Sequence, residues 1–379
     1  MIDYLERQIE GKKIVWLKEP NRYMLVEMPA YHVISRLCEG VGSDEIAKWC
    51  SGFYDLPPDE ARRFTTEVIR TVEQQLVPGK KATGIIDRAP MSSPSTYYSQ
   101  RQYQINGEIF SAQYETRQEE HLIHPKFAHL GVTNNKPANH HFQVFKNGGH
   151  FVLRVNGEII GEWLPGDEHY LSGKFSMEIL NRIHNRSESS WMGVFHASAI
   201  CRNNQSILFL GDSGNGKSTT CAVLMASGFN LLADDFVPVD GLTGNVYSFP
   251  AALSVKKNAV APLLHLYPEL DDANEFSYPE MDKKVRFLPP AHSSEYSPLG
   301  YPCKALVFVK YKKQSGMKME KLAKGTAFQK LVPDSWISPV EENAARFLDW
   351  FLELPCYQLT YSENDKMVTA IQNIFNDDL

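Results

Sequence analysis

The chain has 379 residues, of which 43% are hydrophobic and 22% charged, and its formal net charge is −6 at pH 7. This is the composition of an ordinary folded protein long enough for two or three domains, and its acidic balance gives no reason to expect nucleic-acid binding. No apolar run approaches the ~20 residues of a membrane span and the N-terminus lacks the build of a signal peptide, so the sequence predicts a cytoplasmic protein with no membrane partner.

Residues 1–80 predict a small α+β domain. Apolar runs at 14–17 and 23–26 lie on either side of a Pro-Asn turn and predict a hairpin. Three helices are expected after it, at about 29–39, 44–52 and 58–76, because the last two open with the acidic and proline signals of helix N-termini.

This small unit resembles the winged-helix peptide-binding domains related to the D protein of pyrroloquinoline quinone biosynthesis. The resemblance implies that residues 1–76 hold a peptide or protein segment by adding a strand to the edge of their sheet. A winged helix could instead bind DNA, but residues 1–80 carry 11 Lys and Arg against 13 Asp and Glu, whereas a DNA reader needs a basic face. A purely structural cap remains the other alternative.

Two further regions precede the most informative motif. Residues 81–98 are rich in turn-forming residues and predict a linker. Residues 99–190 predict a β-rich part, because Asn-Gly pairs at 106–107, 147–148 and 156–157 lie between apolar or aromatic runs, which is the signal of short hairpins.

Residues 206–220, SILFLGDSGNGKSTT, fit the Walker A pattern between an apolar run of strand character and a segment that can continue as a helix. The glycines let the backbone aim several N–H groups, and the helix N-terminus, at one phosphate. Lys217 can reach the β- and γ-phosphates and the Ser218 hydroxyl can ligate Mg²⁺. The motif therefore predicts ATP or GTP with Mg²⁺ as cofactors. The residues expected to hold the nucleotide are Gly211, Asp212, Ser213, Gly214, Asn215, Gly216, Lys217, Ser218 and Thr219.

Two adjacent carboxylates, Asp234 and Asp235, follow one short helix and one short strand after this motif. In a right-handed strand–helix–strand unit the two strand ends lie near each other, so we expect both carboxylates close to Lys217 and Ser218. Two adjacent carboxylates suit two tasks, since one can bind Mg²⁺ while the other accepts a proton from an attacking hydroxyl.

The C-terminal half supplies one more candidate and an alternating pattern of elements. Lys284 and Arg286 alternate in a basic cluster at 281–289, so in an extended segment they would share one face and could clamp the γ-phosphate or an anionic substrate. A solvated sheet edge is the alternative. Beyond it, the sequence predicts strands at 305–309 and 355–361 and helices at 340–354 and 365–375.

Three motifs in order resemble the catalytic core of HPr kinase/phosphorylase: the segment FHASAI around His196, the Walker A loop and the segment LLADD that ends at Asp235. That family shares a fold with phosphoenolpyruvate carboxykinase. The resemblance covers about residues 100–375 and implies an α/β fold with a catalytic domain over 99–379, in which 191–379 form the P-loop kinase core.

The same resemblance implies roles for individual residues. His196 would lie in the active site beside the phosphates, one aspartate would bind metal and the other would act as base. We expect Ser218 and Asp235 as metal ligands, although the motif leaves open which of Asp234 and Asp235 is the base. The kinases that the chain resembles are often oligomers, so a homo-oligomer is possible. Thr219 stands where HPr kinase has Glu, and the Gly-rich signature of that family has no clear match, which leaves the acceptor and phosphorolysis open.

The sequence thus predicts a Mg²⁺-ATP-dependent kinase that transfers the γ-phosphate to a Ser-type hydroxyl on a protein, peptide or small molecule. Lys217 would neutralise charge on the transferring group, and catalysis would rest on positioning and electrostatics. The competing class is a nucleotide-binding scaffold in which ATP controls docking through the N-terminal domain. Phosphate transfer distinguishes the two.

Overall fold

The computed structural model describes residues 2–77, 94–133, 136–278, 283–290 and 298–378. The predicted linker lies outside the described residues as far as residue 93, and so do Met281 and Asp282 of the basic cluster. The architecture is mixed α/β with several sheets. Within the described ranges, no helix combines the length and apolar character needed to cross a membrane.

Residues 2–77 form an antiparallel sheet in the order β1-β2-β3, followed by three helices. The predicted hairpin and all three predicted helices are present, and the strand that precedes the hairpin was not predicted. The elements are β1 (Tyr4–Ile9), β2 (Lys12–Leu17), β3 (Arg22–Glu27), α1 (Met28–Cys38), α2 (Ser43–Tyr54) and α3 (Pro58–Leu76).

A second sheet contains β4 to β8 in chain order, and its neighbours are antiparallel except for the parallel pair β5–β6. The three predicted hairpins are confirmed. At Asn106-Gly107 both residues have positive φ, 49° and 86°, as tight two-residue hairpin turns require. The elements are β4 (Ser99–Ile105), β5 (Glu108–Tyr114), α4 (Arg117–Ile123), a 3-10 helix (His124–Leu130), β6 (His140–Asn147), β7 (His150–Val155), β8 (Glu158–Trp163) and α5 (Glu168–Ile183).

The rest of the chain builds a large mixed sheet, called the main sheet here, and a small sheet of β15, β17 and β16. The elements are β9 (Trp191–Phe195), β10 (Ser198–Arg202), β11 (Gln205–Leu210), α6 (Lys217–Ala226), β12 (Asn230–Asp234), β13 (Val237–Asp240), β14 (Asn245–Val246), β15 (Leu253–Lys256), α7 (Lys257–Leu263), β16 (Phe276–Tyr278), β17 (Lys283–Leu288), β18 (Tyr301–Tyr311), β19 (Met317–Lys321), α8 (Lys324–Leu331), β20 (Trp336–Ile337), α9 (Glu341–Glu353), β21 (Cys356–Tyr361) and α10 (Asn364–Asn376).

The strand directions in the main sheet bring four strand ends to one edge. Strands β11, β18 and β21 are parallel neighbours. Strand β12 runs in the same direction, because β12 and β11 both pair antiparallel with β10, which lies between them. The expected closeness of the β11 and β12 ends is therefore confirmed, with one antiparallel strand inserted between the two. The carboxyl ends of such strands are where ligands bind in open α/β sheets.

Apolar cores cover both faces of the main sheet. In β11, Leu208 and Leu210 belong to a core shared with the β4–β8 sheet and α5, whereas Ile207 and Phe209 face a second core with α6 and α10. A strand buried on both faces reads as a continuous apolar run, which is why the sequence SILFL before the Walker A loop was recognisable as a strand.

The N-terminal sheet is also buried on both faces. Val15 and Leu17 of β2 pack with α1 and α3, while Ile14, directly before Val15, belongs to the core that includes the β4–β8 sheet. The ring of Tyr23 in β3 meets the ring of Phe347 in α9 edge-to-face at 5.4 Å. The N-terminal unit is therefore packed against the C-terminal region.

Candidate active site

Except for Lys284 and Arg286, the predicted site residues meet at the edge of the main sheet where β11, β12, β18 and β21 end. Residues 211–218, the Walker A segment and called the phosphate loop here, follow β11, Asp235 follows β12, and His196 lies in the turn between β9 and β10. Together with Lys283 of β17 they line a cavity of about 520 Å³. Small-molecule sites commonly measure about 300–1,000 Å³, so this edge has room for a nucleotide.

The backbone of the phosphate loop depends on glycine at both of its ends. Gly211 has φ 134°, and a Cβ there would lie 2.8 Å from the carbonyl oxygen of Val309. Gly216 has φ 98° and directly precedes α6, which begins at Lys217. The loop therefore leads directly into the N-terminus of α6. The first N–H groups of a helix have no partner within the helix, so they form a favourable place for an anion.

Lys217 is buried and lies across the loop that precedes it. Its Nζ donates to the carbonyl oxygen of Gly211 at 2.7 Å and lies 3.5 Å from Nε2 of His196. Burial lowers the pKa of Lys217, while the charges of Asp235 and Asp234 oppose that shift. A charged amine in this position can meet a phosphate that enters the loop.

Asp234 is buried, and its carboxylate is surrounded by hydrogen-bond donors. Its carboxylate accepts from Oγ of Ser198 at 2.5 Å, from Oγ of Ser218 at 3.0 Å and from the backbone N–H of Ser254 at 3.0 Å. Burial, together with the charge of Asp235, raises the pKa of Asp234 to about 6. The metal ligands were expected to be Ser218 and Asp235, but in the structure Ser218 contacts Asp234.

Asp235 faces the cavity, and its side chain is 37% exposed. Its carboxylate lies 3.5 Å from Nζ of Lys283 and 3.9 Å from Nδ1 of His196. Burial favours the neutral acid, but Lys283, His196 and Lys217 outweigh burial and lower the pKa of Asp235. The backbone of Asp235 has φ 61°, a left-handed conformation that Asp and Asn tolerate better than most residues.

The remaining loop residues divide into two groups. Ser213, Gly214 and Thr219 line the cavity with Gly216, Lys217 and Ser218. Asp212 and Asn215 instead stabilise the loop, since Asn215 Nδ2 donates to Asp212 Oδ2 at 3.2 Å and the Asn215 carbonyl accepts from the backbone N–H of Tyr311 at 2.9 Å.

The structure places neither Lys284 nor Arg286 in the lining of this cavity. They do share a face of β17, but Arg286 donates to the carbonyl oxygens of Leu270 and Asp271 and Lys284 is exposed. The neighbouring Lys283 occupies the cavity instead. Successive side chains of a strand point to opposite faces, so an error of one residue moves a predicted contact to the wrong side.

Sequence reasoning missed several lysines at the site. Besides Lys217, the described residues that line the cavity include Lys256, Lys283 and Lys313, and Lys256 Nζ donates to Ser213 Oγ at 2.8 Å. These charges give the cavity a positive lining in a chain of net charge −6, which attracts anions. The local sequences of Lys256 and Lys313 carry no phosphate-binding signal, and in the basic cluster the sequence pointed to Lys284 and Arg286 rather than to Lys283. Long-range pairing of β15 with β17 and of β11 with β18 brings these segments to the site.

Lys126, in the 3-10 helix, is a further charged residue that the sequence did not single out. Its Nζ donates to Oγ of Ser172 in α5 at 2.7 Å. Burial lowers the pKa of Lys126 to about 8, against the attraction of Asp235. This lysine therefore lies within electrostatic reach of the cavity.

Ser218 and Asp234 are the residues that fit a magnesium ion. Mg²⁺ prefers oxygen ligands and is held by one or two protein groups, with waters and phosphates supplying the remaining positions. A hydroxyl and a buried carboxylate in contact meet that need. Within the described residues, no group of three or more His, Cys, Asp or Glu side chains could hold a metal by itself.

Comparison with known proteins adds little to this geometry. No protein-family model matches the chain and no curated protein matches it. Among solved structures, the HPr(Ser) kinase/phosphatase from Coxiella burnetii matches 49% of this chain and 95% of its own, with 9% sequence identity and a TM-score of 0.20. A TM-score of this size does not establish a shared fold.

Proposed function

We propose that this chain is a Mg²⁺-dependent kinase that transfers the γ-phosphate of ATP or GTP to a hydroxyl group of an acceptor. The observation that carries the proposal is the convergence of Lys217, Ser218 and Asp235 on one cavity at a helix N-terminus, with the buried Asp234 carboxylate accepting from Ser218 directly behind it. Phosphoryl transfer needs little covalent chemistry from a protein, and these groups supply positioning and charge.

The phosphate loop and the lysines would bind the nucleotide. Backbone N–H groups of the loop and of the first turn of α6 would donate to phosphate oxygens. Lys217 would leave the Gly211 carbonyl for the transferring phosphoryl group, and Lys256 lies beside Ser213 where it can add charge. Together they would offset the negative charge that the phosphates bring into the cavity.

Ser218 and Asp234 would hold Mg²⁺ in this proposal. The ion would supply charge neutralisation at the phosphate oxygens. Support comes from the raised pKa of Asp234, caused by burial and by the charge of Asp235, because a buried carboxylate beside another carboxylate is a favourable partner for a cation.

Asp235 would accept the proton of the acceptor hydroxyl. It is ionised, faces the cavity and adjoins Lys283 and His196. Lys283 would hold the carboxylate in place, and His196, 3.5 Å from Lys217, would position the lysine that meets the transferring group. These assignments give the two aspartates different tasks because their surroundings differ.

The acceptor would be a protein, a peptide or a small alcohol. We further propose that residues 1–76 hold a peptide or protein acceptor through a strand added to their sheet. The support is that β1 and β3 each pair only with β2 in the part of the chain that the structure describes, so each has an outer edge. A docking site raises the local concentration of the acceptor without touching the chemistry.

Calorimetry with Mg²⁺-ATP tests the nucleotide site. Wild type should bind, Lys217→Ala should lose most of the affinity, and Lys283→Ala should weaken binding because the cavity loses a charge. Lys284→Ala is the matched control, since it removes a lysine from the next position of β17 outside the cavity. Absence of Mg²⁺-dependent binding of ATP and GTP by wild type would contradict the proposal.

Acceptor-dependent ADP release then tests transfer, with free serine and serine-containing peptides as probes. Asp235→Asn should keep nucleotide binding and lose at least about 10²-fold in transfer, the usual scale for a missing general base. Tight ATP binding without transfer to any hydroxyl would favour the nucleotide-binding scaffold instead.

A further inference from the structure

The phosphate loop divides the cavity into two ends. On one side of β11 lie β10 and β12, next to which His196 and Asp235 line the cavity, and Lys283 of β17 adjoins Asp235 there. On the other side, β18 and β21 lead into Tyr311 and Asn364. Under the proposed function the γ-phosphate must lie at the Asp235 end. The nucleoside of the same molecule must then extend toward β18 and β21.

Two tyrosines, Tyr311 and Tyr361, line the cavity at that second end, and of these Tyr311 is exposed while Tyr361 is buried. The exposed fraction of Tyr311 is 46%. Its backbone N–H donates to the Asn215 carbonyl at 2.9 Å, and its ring meets Tyr361 edge-to-face at 5.5 Å. The Tyr361 hydroxyl lies 2.9 Å from Oγ1 of Thr220 in α6. The backbone of Tyr311 is thus held by the phosphate loop, and its ring packs on a tyrosine that contacts α6.

We propose that the nucleobase of the bound nucleotide stacks on Tyr311 and that Asn364 contacts the edge of the base. Stacking on an aromatic ring suits every base, since each has a π face. Asn364 begins α10 and lines the same cavity, and its amide offers a donor and an acceptor together, as the edge of a purine requires. This inference rests on the proposed function, because it uses the γ-phosphate to orient the ligand.

Comparison of two ligands tests the inference. Mg²⁺-ATP carries a base and Mg²⁺-tripolyphosphate does not, so a base platform should distinguish them. We expect Tyr311→Ala to weaken ATP binding by about 5- to 150-fold, the range for loss of one stacked base, and to leave tripolyphosphate binding unchanged. Tyr311→Phe keeps the ring and should bind ATP as wild type does.

Tyr170→Ala is the matched control, because Tyr170 has nearly the same exposure, 48%, and lies in α5 away from the cavity. It should leave the affinity for both ligands unchanged, and thermal melting should show that all variants are folded.

Equal binding of ATP by wild type and Tyr311→Ala would overturn the inference while the phosphate site stands. Equal losses for both ligands would also overturn it, since Tyr311 would then only support the loop. Binding of neither ligand by wild type would instead overturn the proposed function, and the inference with it.

Discussion

Asp234 and Asp235 are neighbours in sequence whose carboxylates meet opposite surroundings. The Asp234 carboxylate is enclosed by Ser198, Ser218 and Ser254, and burial raises its pKa to about 6. Asp235 faces the cavity, where the positive charge of Lys283 helps to lower its pKa against the effect of burial. Environments that move two pKa values apart allow two carboxylates to do different chemistry at one pH.

Asp234→Asn should stabilise the protein at pH 8 in the absence of metal and nucleotide. Above pH 6 the fold holds an ionised Asp234 that its surroundings disfavour, and the substitution removes that cost of about 1–3 kcal/mol. The stability gained by the substitution should shrink as the pH falls from 6 toward 3.8, the ordinary pKa of an aspartate side chain. Below that pH the Asp234 carboxyl is neutral in both the folded and the unfolded state. Thermal melting at pH 8 and pH 5 measures the difference.

Asp235→Asn is the control for that experiment and should destabilise the protein. The fold lowers the pKa of Asp235, so the ionised carboxylate stabilises the folded state above pH 3.8. The amide loses this stabilisation both at pH 8 and at pH 5. Asn tolerates the left-handed backbone at this position. Stabilisation by both substitutions, or by neither, would contradict the different environments of the two side chains.

Some residues of the site could be predicted from sequence and others could not. The loop from Gly211 to Ser218 and the aspartate pair were recognisable because their chemistry needs fixed residue types at fixed local spacing. Lys256, Lys283 and Tyr311 carry no such spacing. They reach the cavity through strand pairing, and the basic cluster of β17 does not reveal which of its alternating faces turns toward the site.

At the scale of elements, the N-terminal unit supplies the cap of a distant helix. The Glu10 carboxylate accepts from the backbone N–H groups of Lys324 and Gly325 at 2.7 and 3.0 Å. A negative charge at a helix N-terminus is stabilising. The N-terminus of helix α8 is therefore capped by a side chain from the β1–β2 turn and not by a residue next to the helix in sequence.

Glu10→Gln should lower the free energy of unfolding by about 0.5–1 kcal/mol, because the neutral amide interacts less favourably with the start of α8. Urea denaturation measures the change. Glu320→Gln is the matched control, since Glu320 pairs with Lys318 at an exposed position inside β19 and does not lie at a helix terminus. A loss for Glu320→Gln as large as that for Glu10→Gln would contradict a capping role.

Long apolar elements were predictable, and short polar ones were not. The expected strands and helices of the C-terminal region correspond to β18, α9, β21 and α10. Strand β19, MKMEK, is a polar edge strand, and β20 has only two residues. Neither carries a periodic apolar pattern, so their pairing depends on neighbours that lie far away in sequence.

At the scale of the whole molecule, residues 1–76 are joined to the C-terminal region by polar and aromatic contacts. Arg7 pairs with Asp349 at 2.6 Å and Lys18 with Glu341 at 2.8 Å, while Tyr23 packs on Phe347. These partners are separated by more than 300 positions. No local pattern could predict such an arrangement, although each unit could be recognised separately.

Deletion of residues 1–85 should lower the melting temperature by several degrees, because it uncovers Phe328 and Phe347 and removes the cap of α8. Among the residues that the structure describes, those that line the cavity all lie after the deleted segment, so Mg²⁺-ATP affinity well below the melting temperature should be unchanged. If the segment docks the acceptor, the apparent KM for the acceptor should rise.

Tyr23→Ala keeps the N-terminal unit but removes its aromatic contact, so it should show a smaller loss of the same sign. An unchanged melting temperature after deletion would contradict the packing role. An unchanged KM in a folded deletion variant would rule out docking and leave residues 1–76 as a structural cap.

The two faces of the N-terminal sheet are completed at different times during synthesis. The helices that cover one face follow it directly, but α8 and α9, which cover the other, emerge nearly 300 residues later. At translation rates of about 5–20 residues per second, that delay is about 15–60 s. During this interval Ile14, Tyr23 and Leu25 lack their final partners. The nascent chain therefore presents an apolar sheet face to the cell while it is still bound to the ribosome.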